Sequence, residues 1–444
     1  MKNKLVHLFS LVLLLAGTAQ AQEKRQLTLA EAIDLTIKNS HQLKYSGAKI
    51  EEATAALKEA VEKKLPSASV SASYLRLTTA NIDLKSKSNS SGGSGGTSET
   101  PKVSQAMYGL LNASLPIYAG GRIRYGIESS EYLEKAAKLD AEEDKDEVIQ
   151  NTIEAFATLF KANTAVRLVK ENLLQAQQRS KDLGNLEKNG LLARNDLLKA
   201  ELQSSNVELS LLDAENNLQL ANINMDLMLG LPTTTQLVLD TAGVERKDDS
   251  RILDDYLQLA FTNRKDIAAL DYRKKAAQTG VKSVKAERYP AVSLTGGYIA
   301  ANIPNFISVT NAINLGVGVS YDIGSLWKNK SKVQQAEARV KQLVQTEAMV
   351  DDNVRLQVNK NYLALLSSRK KIEVYAKALE QAKENYRIVK NKFDNSLATT
   401  TDLLDADVAQ LQSTLAYTLA RADAFVAYNK LLQTAGVLSA ELKK

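Results

Sequence analysis

The stretch Asn189-Gly190-Leu191-Leu192-Ala193-Arg194-Asn195-Asp196-Leu197-Leu198-Lys199-Ala200 is met again, about 206 residues on, as Asn395-Ser396-Leu397-Ala398-Thr399-Thr400-Thr401-Asp402-Leu403-Leu404-Asp405-Ala406. In each copy a turn signal, Asn-Gly or Asn-Ser, interrupts a long run of helix formers, which reads as a tight helix–turn–helix made twice. The repetition extends upstream. Thr36-Ile37-Lys38-Asn39 and Leu43 answer to Ala260-Phe261-Thr262-Asn263 and Ile267, and Lys64-Leu65-Pro66 to Arg288-Tyr289-Pro290, at an offset of about 224. The first half thus carries about 18 more residues, all between Pro66 and Asp196. A chain made of two long copies builds something pseudo-symmetric, with a first structural repeat over 22–231 and a second over 232–444.

Proline placement says where the helices are. The chain has 6 prolines, Pro66, Pro101, Pro116, Pro232, Pro290 and Pro304, and one inside a helix costs about 3 kcal/mol. They leave two proline-free stretches dense in Ala, Leu, Gln, Glu and Lys, predicting one long helix over about 121–188 and another over about 326–393. The tips follow at about 189–196 and 394–405. Val358, Leu365, Ile372, Leu379 and Tyr386 recur at steps of seven, the seam of a coiled coil. At 1.5 Å per residue each long helix spans about 100 Å, while its return partner, 191–229 or 397–436, spans only about 60 Å. The segments 42–65 and 265–289 supply about 35 Å more if stacked on those partners, so each half is a long rod beside a rod in two pieces. Such rods make a tube. Gly184, inside the first long helix, should cost about 1 kcal/mol there.

Between the helices lie four alternating segments, about 67–77, 106–118, 291–301 and 312–323. Ala68, Val70, Ala72 and Tyr74 alternate with serines; Met107, Gly109, Leu111, Ala113 and Leu115, then Val292, Leu294, Gly296 and Tyr298, then Ile313, Leu315, Val317, Val319 and Tyr321 continue the pattern. Each has the length and period of a transmembrane β-strand. An ordinary half-buried hairpin has the same period. The uncharged Ser, Gly, Thr and Asn face and the export signal ahead of it favour the membrane. Residues 81–104 hold a Gly/Ser run too long for a tight hairpin, the other hairpin closes through Ile303-Pro304-Asn305, and long loops on one side suit the exterior of such a barrel. Tyr74, Tyr108, Tyr298, Tyr321 and Trp327 suit its interfacial belts. Four strands cannot close, and an open edge is not tolerated in lipid, so copies must associate. Two copies give eight strands and little lumen; three give twelve and an aqueous bore, which fits a hollow helical tube. The fold class expected is therefore mainly α: a long coiled-coil helical barrel plus four transmembrane strands per chain, completed as a 12-stranded barrel in a trimer.

Composition removes other classes. Lys2 and Lys4, the apolar run from Leu8 to Ala16 and Ala19-Gln20-Ala21 form an export signal over 1–21, too short to span a bilayer uncleaved. A formal charge of +6, spread evenly and without a basic block interleaved with aromatics, is poor evidence for nucleic acid binding. With 0 cysteines there is no disulfide, lipid-anchor or thiolate metal site, and the chain must be held by packing or oligomerisation. His41, placed at the end of a short helix opened by the capping box Thr28-Leu29-Ala30-Glu31, is the one histidine left after processing, so no metal cluster or catalytic triad is available. Gly92-Gly93-Ser94-Gly95-Gly96 spells a nucleophile elbow without the strand–turn–helix it needs. No enzyme and no cofactor is expected.

The order half-helix, hairpin, long helix, turn, half-helix, given twice, resembles the TolC-like outer-membrane efflux protein family over about 27–436. Leu29-Ala30-Glu31-Ala32, Leu115-Pro116-Ile117-Tyr118-Ala119-Gly120-Gly121, Asn189-Gly190-Leu191 and Asp402-Leu403-Leu404-Asp405-Ala406 carry the resemblance. It implies a homotrimeric channel-tunnel in the outer membrane of a Gram-negative bacterium, contacting outer-membrane lipid. Its helical part crosses the periplasm to meet a periplasmic adaptor (membrane fusion protein) and an inner-membrane transporter, and it exports substrates passively. It also implies that Gly190, Leu191, Leu192, Ala193, Ser396, Leu397, Ala398 and Thr399 dock the adaptor, and that Asp402 and Asp405 fall on the entrance constriction, with Asp196 their first-repeat counterpart. At i and i+3 on a helix, Asp402 and Asp405 share a face, so three chains would stack two carboxylate rings that raise each other's pKa and attract cations. A helix cap or dipole partner is the competing role, and for Asp196 the favoured one. The sequence departs from the family at Ser396, where glycine is usual, and at Ala398, where some members carry an arginine that latches the closed entrance; Arg194 is the candidate replacement. Two alternatives stand beside this reading: an exit duct for type I protein secretion with the same fold, and a pore-less periplasmic coiled-coil scaffold.

Overall fold

The structure, a computed structural model, describes residues 24–80, 103–240, 250–304 and 307–442. The export signal over 1–21, the Gly/Ser run at 90–97 and Asn305 of the second hairpin lie outside the described residues. The chain runs β1 (Lys24–Leu27), α1 (Leu29–Asn39), α2 (His41–Glu62), β2 (Ser67–Ala80), β3 (Val103–Tyr118), α3 (Arg122–Lys188), α4 (Arg194–Leu229), β4 (Gln236–Leu239), α5 (Leu253–Asn263), α6 (Lys265–Ala286), β5 (Ala291–Ile303), β6 (Ile307–Ser320), α7 (Ser325–Asp394), α8 (Thr400–Thr434) and α9 (Leu438–Glu441). The two pseudo-repeats show in the lengths: α1 and α5 have 11 residues each, α2 and α6 have 22, α3 and α7 have 67 and 70, α4 and α8 have 36 and 35. Even the break between the paired short helices recurs, at extended Ser40 (ψ 122) and Arg264 (ψ 128).

The chain divides into two compact units. One, made of Lys49–Lys138 and Ala268–Glu347, holds a four-stranded antiparallel sheet in the order β2-β3-β5-β6. Cross-strand registers place Val70, Leu111, Tyr298 and Ile313 in one row, so a single face carries Ala68, Val70, Ala72, Tyr74, Met107, Leu111, Leu115, Leu294, Leu315, Val317 and Val319. The opposite face carries Ser69, Asn112, Gly297 and Asn314 in the next row, flanked by Ser67, Ser71, Ser114, Thr295 and Gly316. On the apolar face Ile313 is 80% and Leu315 82% exposed. The strand expected over 312–323 begins earlier, at Ile307, and ends at Ser320. A bulge lies at the boundary: Asn311 takes φ 58 and the register with β5 shifts between Ile299 and Ala301, and this polar residue interrupts the odd-numbered apolar run of Ile307, Val309, Ile313 and Leu315. The Tyr298 hydroxyl accepts from Asn311 N at 3.2 Å and holds the bulge.

The other unit, Met1–Ala48, Leu139–Ile267 and Ala348–Lys444, contains the two helical hairpins α3–α4 and α7–α8 from Leu139 of α3 and Ala348 of α7 onward. Its largest core joins Ile149 and Ile153 of α3, Val354, Val358 and Leu365 of α7, Leu431 and Leu432 of α8, and Tyr256 of α5. A second core gathers Phe156, Leu159, Met225 and Leu229 under Leu27 and Leu237. Those last two come from β1 and β4, a parallel pair with Leu27 opposite Leu239 that period-based reading does not find, because four residues are too few to show alternation. Of the heptad seam on α7, Val358 and Leu365 are buried and Ile372, Leu379 and Tyr386 half-buried. A Cβ added at Gly184 would stand 3.8 and 4.0 Å from the Leu197 methyls, ordinary contact distances, so packing does not demand glycine there. His41 is corrected: α1 stops at Asn39, and His41 opens α2. The capping box before α1 is one-sided. Thr28 Oγ1 accepts from Glu31 N at 3.2 Å, but the Glu31 carboxylate is held by Arg25 at 2.6 Å instead of returning to the Thr28 backbone.

Candidate functional site

The site is built from the two helix–turn–helix tips. After α3, Gly190 takes φ 72, with Gly190 N donating to Glu187 O at 2.9 Å and Leu191 N to Leu186 O at 2.9 Å. After α7, Ser396 takes φ 60, with Ser396 N donating to Phe393 O at 2.9 Å and Leu397 N to Lys392 O at 2.8 Å. Both are Schellman closures, which satisfy the last helix carbonyls and need a left-handed residue just past the cap. Glycine adopts that conformation at no steric cost; Ser396 does so without that freedom. The residue after it is equivalent in the two turns, Leu191 at 74% and Leu397 at 76% exposure. Gly190, Ala193 and Thr399 are also exposed and Ala398 half-buried. Leu192 packs against the small core of Leu183, Leu197 and Ala200, where Phe393 of the other hairpin joins it.

The helices leaving the turns start differently. Thr399 caps α8 with a reciprocal box: Asp402 N donates to Thr399 Oγ1 at 3.1 Å, while Asp402 Oδ2 accepts from Thr399 N at 2.9 Å and Thr399 Oγ1 at 2.7 Å. The hydroxyl bond first, and the backbone bond after it, hold the Asp402 carboxyl below its ordinary value. Asp405, one turn on, is exposed and among the described residues makes no hydrogen bond or ion pair. In the first repeat the cap is Ala193, which has no side chain able to accept. Asp196 therefore does not cap as favoured from sequence. Its carboxylate accepts from Lys199 at 3.2 Å, and Lys199 reaches Thr401 of the other hairpin at 3.3 Å. Arg194, largely exposed, lies 3.8 Å from half-buried Glu187 on its own turn.

Sequence reading passed over the strongest tie between the repeats. Arg179 of α3 donates from Nη1 to Asp407 Oδ2 of α8 at 3.0 Å, and its Nη2 stands 3.0 Å from Oδ1. Asn172 adds a bond to Oδ2 at 3.3 Å, and Arg179 Nη2 also reaches Tyr386 Oη of α7 at 3.5 Å. Burial works against the Arg179 charge, but the Asp407 hydrogen bond and charge outweigh it and the pKa is raised. The signal was present: Asp407 adjoins Leu403, Leu404 and Ala406 on the buried face of α8, where an unpaired charge would be untenable. Among the described residues no group of three or more His, Asp or Glu side chains is arranged to hold a metal ion.

The sequence profile described as outer membrane efflux protein matches residues 32–231 and 256–437. No curated protein sequence matches the chain. Among solved structures, the chain superposes on the Campylobacter jejuni CmeC outer membrane channel with a TM-score of 0.76 at 19% identity, covering 94% of this chain and 88% of that one. It superposes on the outer membrane protein VceC of Vibrio cholerae with 0.73 at 19% identity, covering 92% and 96%. For the open state of the Neisseria gonorrhoeae MtrE outer membrane channel the values are 0.71 and 16%, with 92% and 89% covered. At such identities the likeness is one of fold.

Proposed function

The chain belongs to the outer membrane efflux protein family, and from that premise we propose that it is a trimeric channel-tunnel carrying substrates passively from a periplasmic adaptor and inner-membrane pump across the outer membrane of a Gram-negative bacterium. It is not an enzyme. One observation carries the reading: the four-stranded sheet has one apolar, exposed face, an opposite face with uncharged rows of Ser, Thr, Asn and Gly, and outer edges on β2 and β6 that are unpaired among the described residues. In water an apolar face of that extent would be covered. In lipid it is solvated, and the edges are what must be closed. Three chains joined edge to edge supply twelve strands, a polar inner wall and a bore.

The helices support association too. Met349, Leu356 and Leu363 form an exposed stripe at steps of seven on α7, and Leu202, Leu209, Leu220 and Leu227 an exposed stripe on α4. Each is a coiled-coil seam left uncovered among the described residues. A pore-less scaffold would use such seams but has no use for a lipid-compatible sheet.

At the tips, three copies would bring Asp402 and Asp405 around one axis as two rings of carboxylates. The rings admit cations, and multivalent cations bind there and block. Leu191 and Leu397 form the apolar part of the adaptor's docking surface, with Gly190, Ala193, Ser396, Ala398 and Thr399 around them. Arg194 remains a latch only toward a neighbouring copy, since in its own chain it meets Glu187. Asp196 sets Lys199, which ties the hairpins through Thr401. Small-molecule export and protein secretion share this geometry, and the cargo is chosen by the pump. Single-channel recording of the purified protein in planar bilayers tests the proposal. Discrete steps blocked by multivalent cations, with block weakened in Asp405→Ala, are expected; a water-soluble monomer that never conducts rejects it.

A further inference from the structure

We propose that the four strand–helix junctions of the sheet unit form a cationic collar that binds the phosphates of anionic phospholipids. The proposal rests on the reading of the sheet as membrane-spanning and adds a ligand to it. At each junction the chain passes from lipid-facing apolar residues, through an aromatic or bulky apolar residue, to a cation. Leaving β6, Val317 and Val319 give way to exposed Tyr321, Ile323 and Trp327 and then to Lys328 and Lys330. Leaving β3, exposed Ile117 and Tyr118 precede Arg124. Entering β5 the order is mirrored, Arg288 then exposed Tyr289 then Pro290 and Leu294; entering β2 it is Lys64, exposed Leu65, Pro66 and Val70. That is the order of depth in a bilayer: hydrocarbon, interface, phosphate.

The charges are also unspent. Lys64, Arg124, Arg288, Lys328 and Lys330 are exposed, and among the described residues none of the five makes a side-chain hydrogen bond or ion pair. Their neighbours do: Lys63 pairs with Glu59 at 3.4 Å, Lys285 with Glu337 at 2.9 Å and Lys332 with Glu287 at 2.6 Å. The paired set holds the fold, and the unpaired set faces out. Glu62, Glu287 and Asp322 stand beside these cations in the sequence, and Glu287 is taken by Lys332, which leaves two carboxylates against five cations. Arg122 is counted apart from the five, since it lines a cavity of about 770 Å³ at the β2 and β3 junctions together with Leu65, Tyr118, Ser67, Ser114 and Ser293. Unpaired lysines and arginines beside a lipid-facing surface attract anionic headgroups, and the effect is additive over neighbours and screened by salt. A lipid occupant, and not an acidic protein, follows from the recurrence: all four junctions set a cation just beyond the end of a strand that would lie in hydrocarbon.

The chain has 1 tryptophan, Trp327, inside the collar, so the test needs no label. The full-length protein is reconstituted in phosphatidylcholine vesicles containing brominated phosphatidylglycerol, or brominated phosphatidylcholine at the same mole fraction. Bromine next to Trp327 quenches its emission, so the two curves give the relative binding of the two headgroups. Preference for phosphatidylglycerol of about threefold or more is expected at low salt, falling towards one in high salt. It should also fall to one in K64Q/R124Q/R288Q/K328Q/K330Q, with channel steps unchanged. Equal quenching by the two lipids in the unmodified protein, with normal steps, overturns the collar and leaves the channel standing. So does a preference that survives the fivefold variant. No quenching and no steps overturn the membrane reading beneath it.

Discussion

Arg179 on α3 and Asp407 on α8 form a two-pronged ion pair, both prongs at 3.0 Å, with 11% and 4% of their side chains exposed. One partner comes from each repeat. A buried pair of this kind adds little net stability over an apolar pair of the same size, but it is costly to break from one side, because the survivor is a buried charge without compensation.

Arg179→Met should therefore lower the unfolding free energy by about 3 kcal/mol or more, measured by denaturant unfolding of the full chain. Asp407→Leu should cost a similar amount. In Arg179→Met/Asp407→Leu most of the loss should return, since no charge is then stranded. A double variant as unstable as the sum of the singles would show that packing around Asn172 and Tyr386, not charge compensation, dominates this site.

Ser396 and Gly190 occupy equivalent places in the two turns at φ 60 and φ 72. A side chain in this conformation costs on the order of 1 kcal/mol that glycine does not pay. Ser396→Gly should raise stability by about 1 kcal/mol, and Gly190→Ser should lower it by as much, with both turns keeping their closures. Thermal unfolding of the two variants checks this; a Ser396→Gly protein less stable than the parent would contradict it.

Asp226 is fully buried on α4, and Asn222 Nδ2 donates to its Oδ2 at 2.9 Å while Oδ1 has no partner. Burial pushes its pKa up to about 6 from 3.8. The folded chain thus holds a proton that the unfolded chain releases, so this group favours folding most below its unfolded value, and that contribution is lost as pH rises from about 4 through about 6. Asp226→Asn, neutral at every pH, should remove that pH dependence and raise stability at pH 8 by about 3 kcal/mol at most. Stability curves of the two proteins that run parallel from pH 4 to pH 8 would refute it.

The repeat, the long helices and the sheet faces were legible because each is a periodic pattern extended over many residues: the serine–apolar alternation of 67–74 survives in the register of β2 with β3. What pairs with what was not. That β3 joins β5, making one sheet of two hairpins, depends on Met107 meeting Asn302 and Leu115 meeting Leu294 across almost two hundred residues, and no local signal encodes it. The need of Asp407 for a partner was legible, but which partner was hidden for the same reason, Arg179 lying 228 residues away. At the tips, the turn positions and Asp402 were visible in sequence. The split between Asp402 and Asp196 was not, because it turns on one cap residue, Thr399 against Ala193, that motif matching treats as interchangeable.

That split separates two roles for the tip carboxylates. Asp402 is engaged by Thr399 N and Oγ1, so its side chain serves the start of α8 whether or not it also faces a pore. Its carboxyl, held low by those bonds, supports the fold above its unfolded pKa and withdraws that support as pH falls through its lower folded value. Among the described residues Asp405 has no such bond, so the proposed ring can use its carboxylate without cost to the helix start. Asp402→Ala should lower the unfolding temperature and weaken cation block together. Asp405→Ala should leave the unfolding temperature unchanged and weaken block alone, and Asp402→Asn, which can still accept from Thr399, should restore most of the stability but not the block. Titration of conductance with a multivalent cation, set beside thermal unfolding of the same three proteins, makes the comparison. If Asp405→Ala unfolds earlier while blocking normally, the carboxylate belongs to the helix and the ring has lost its second tier.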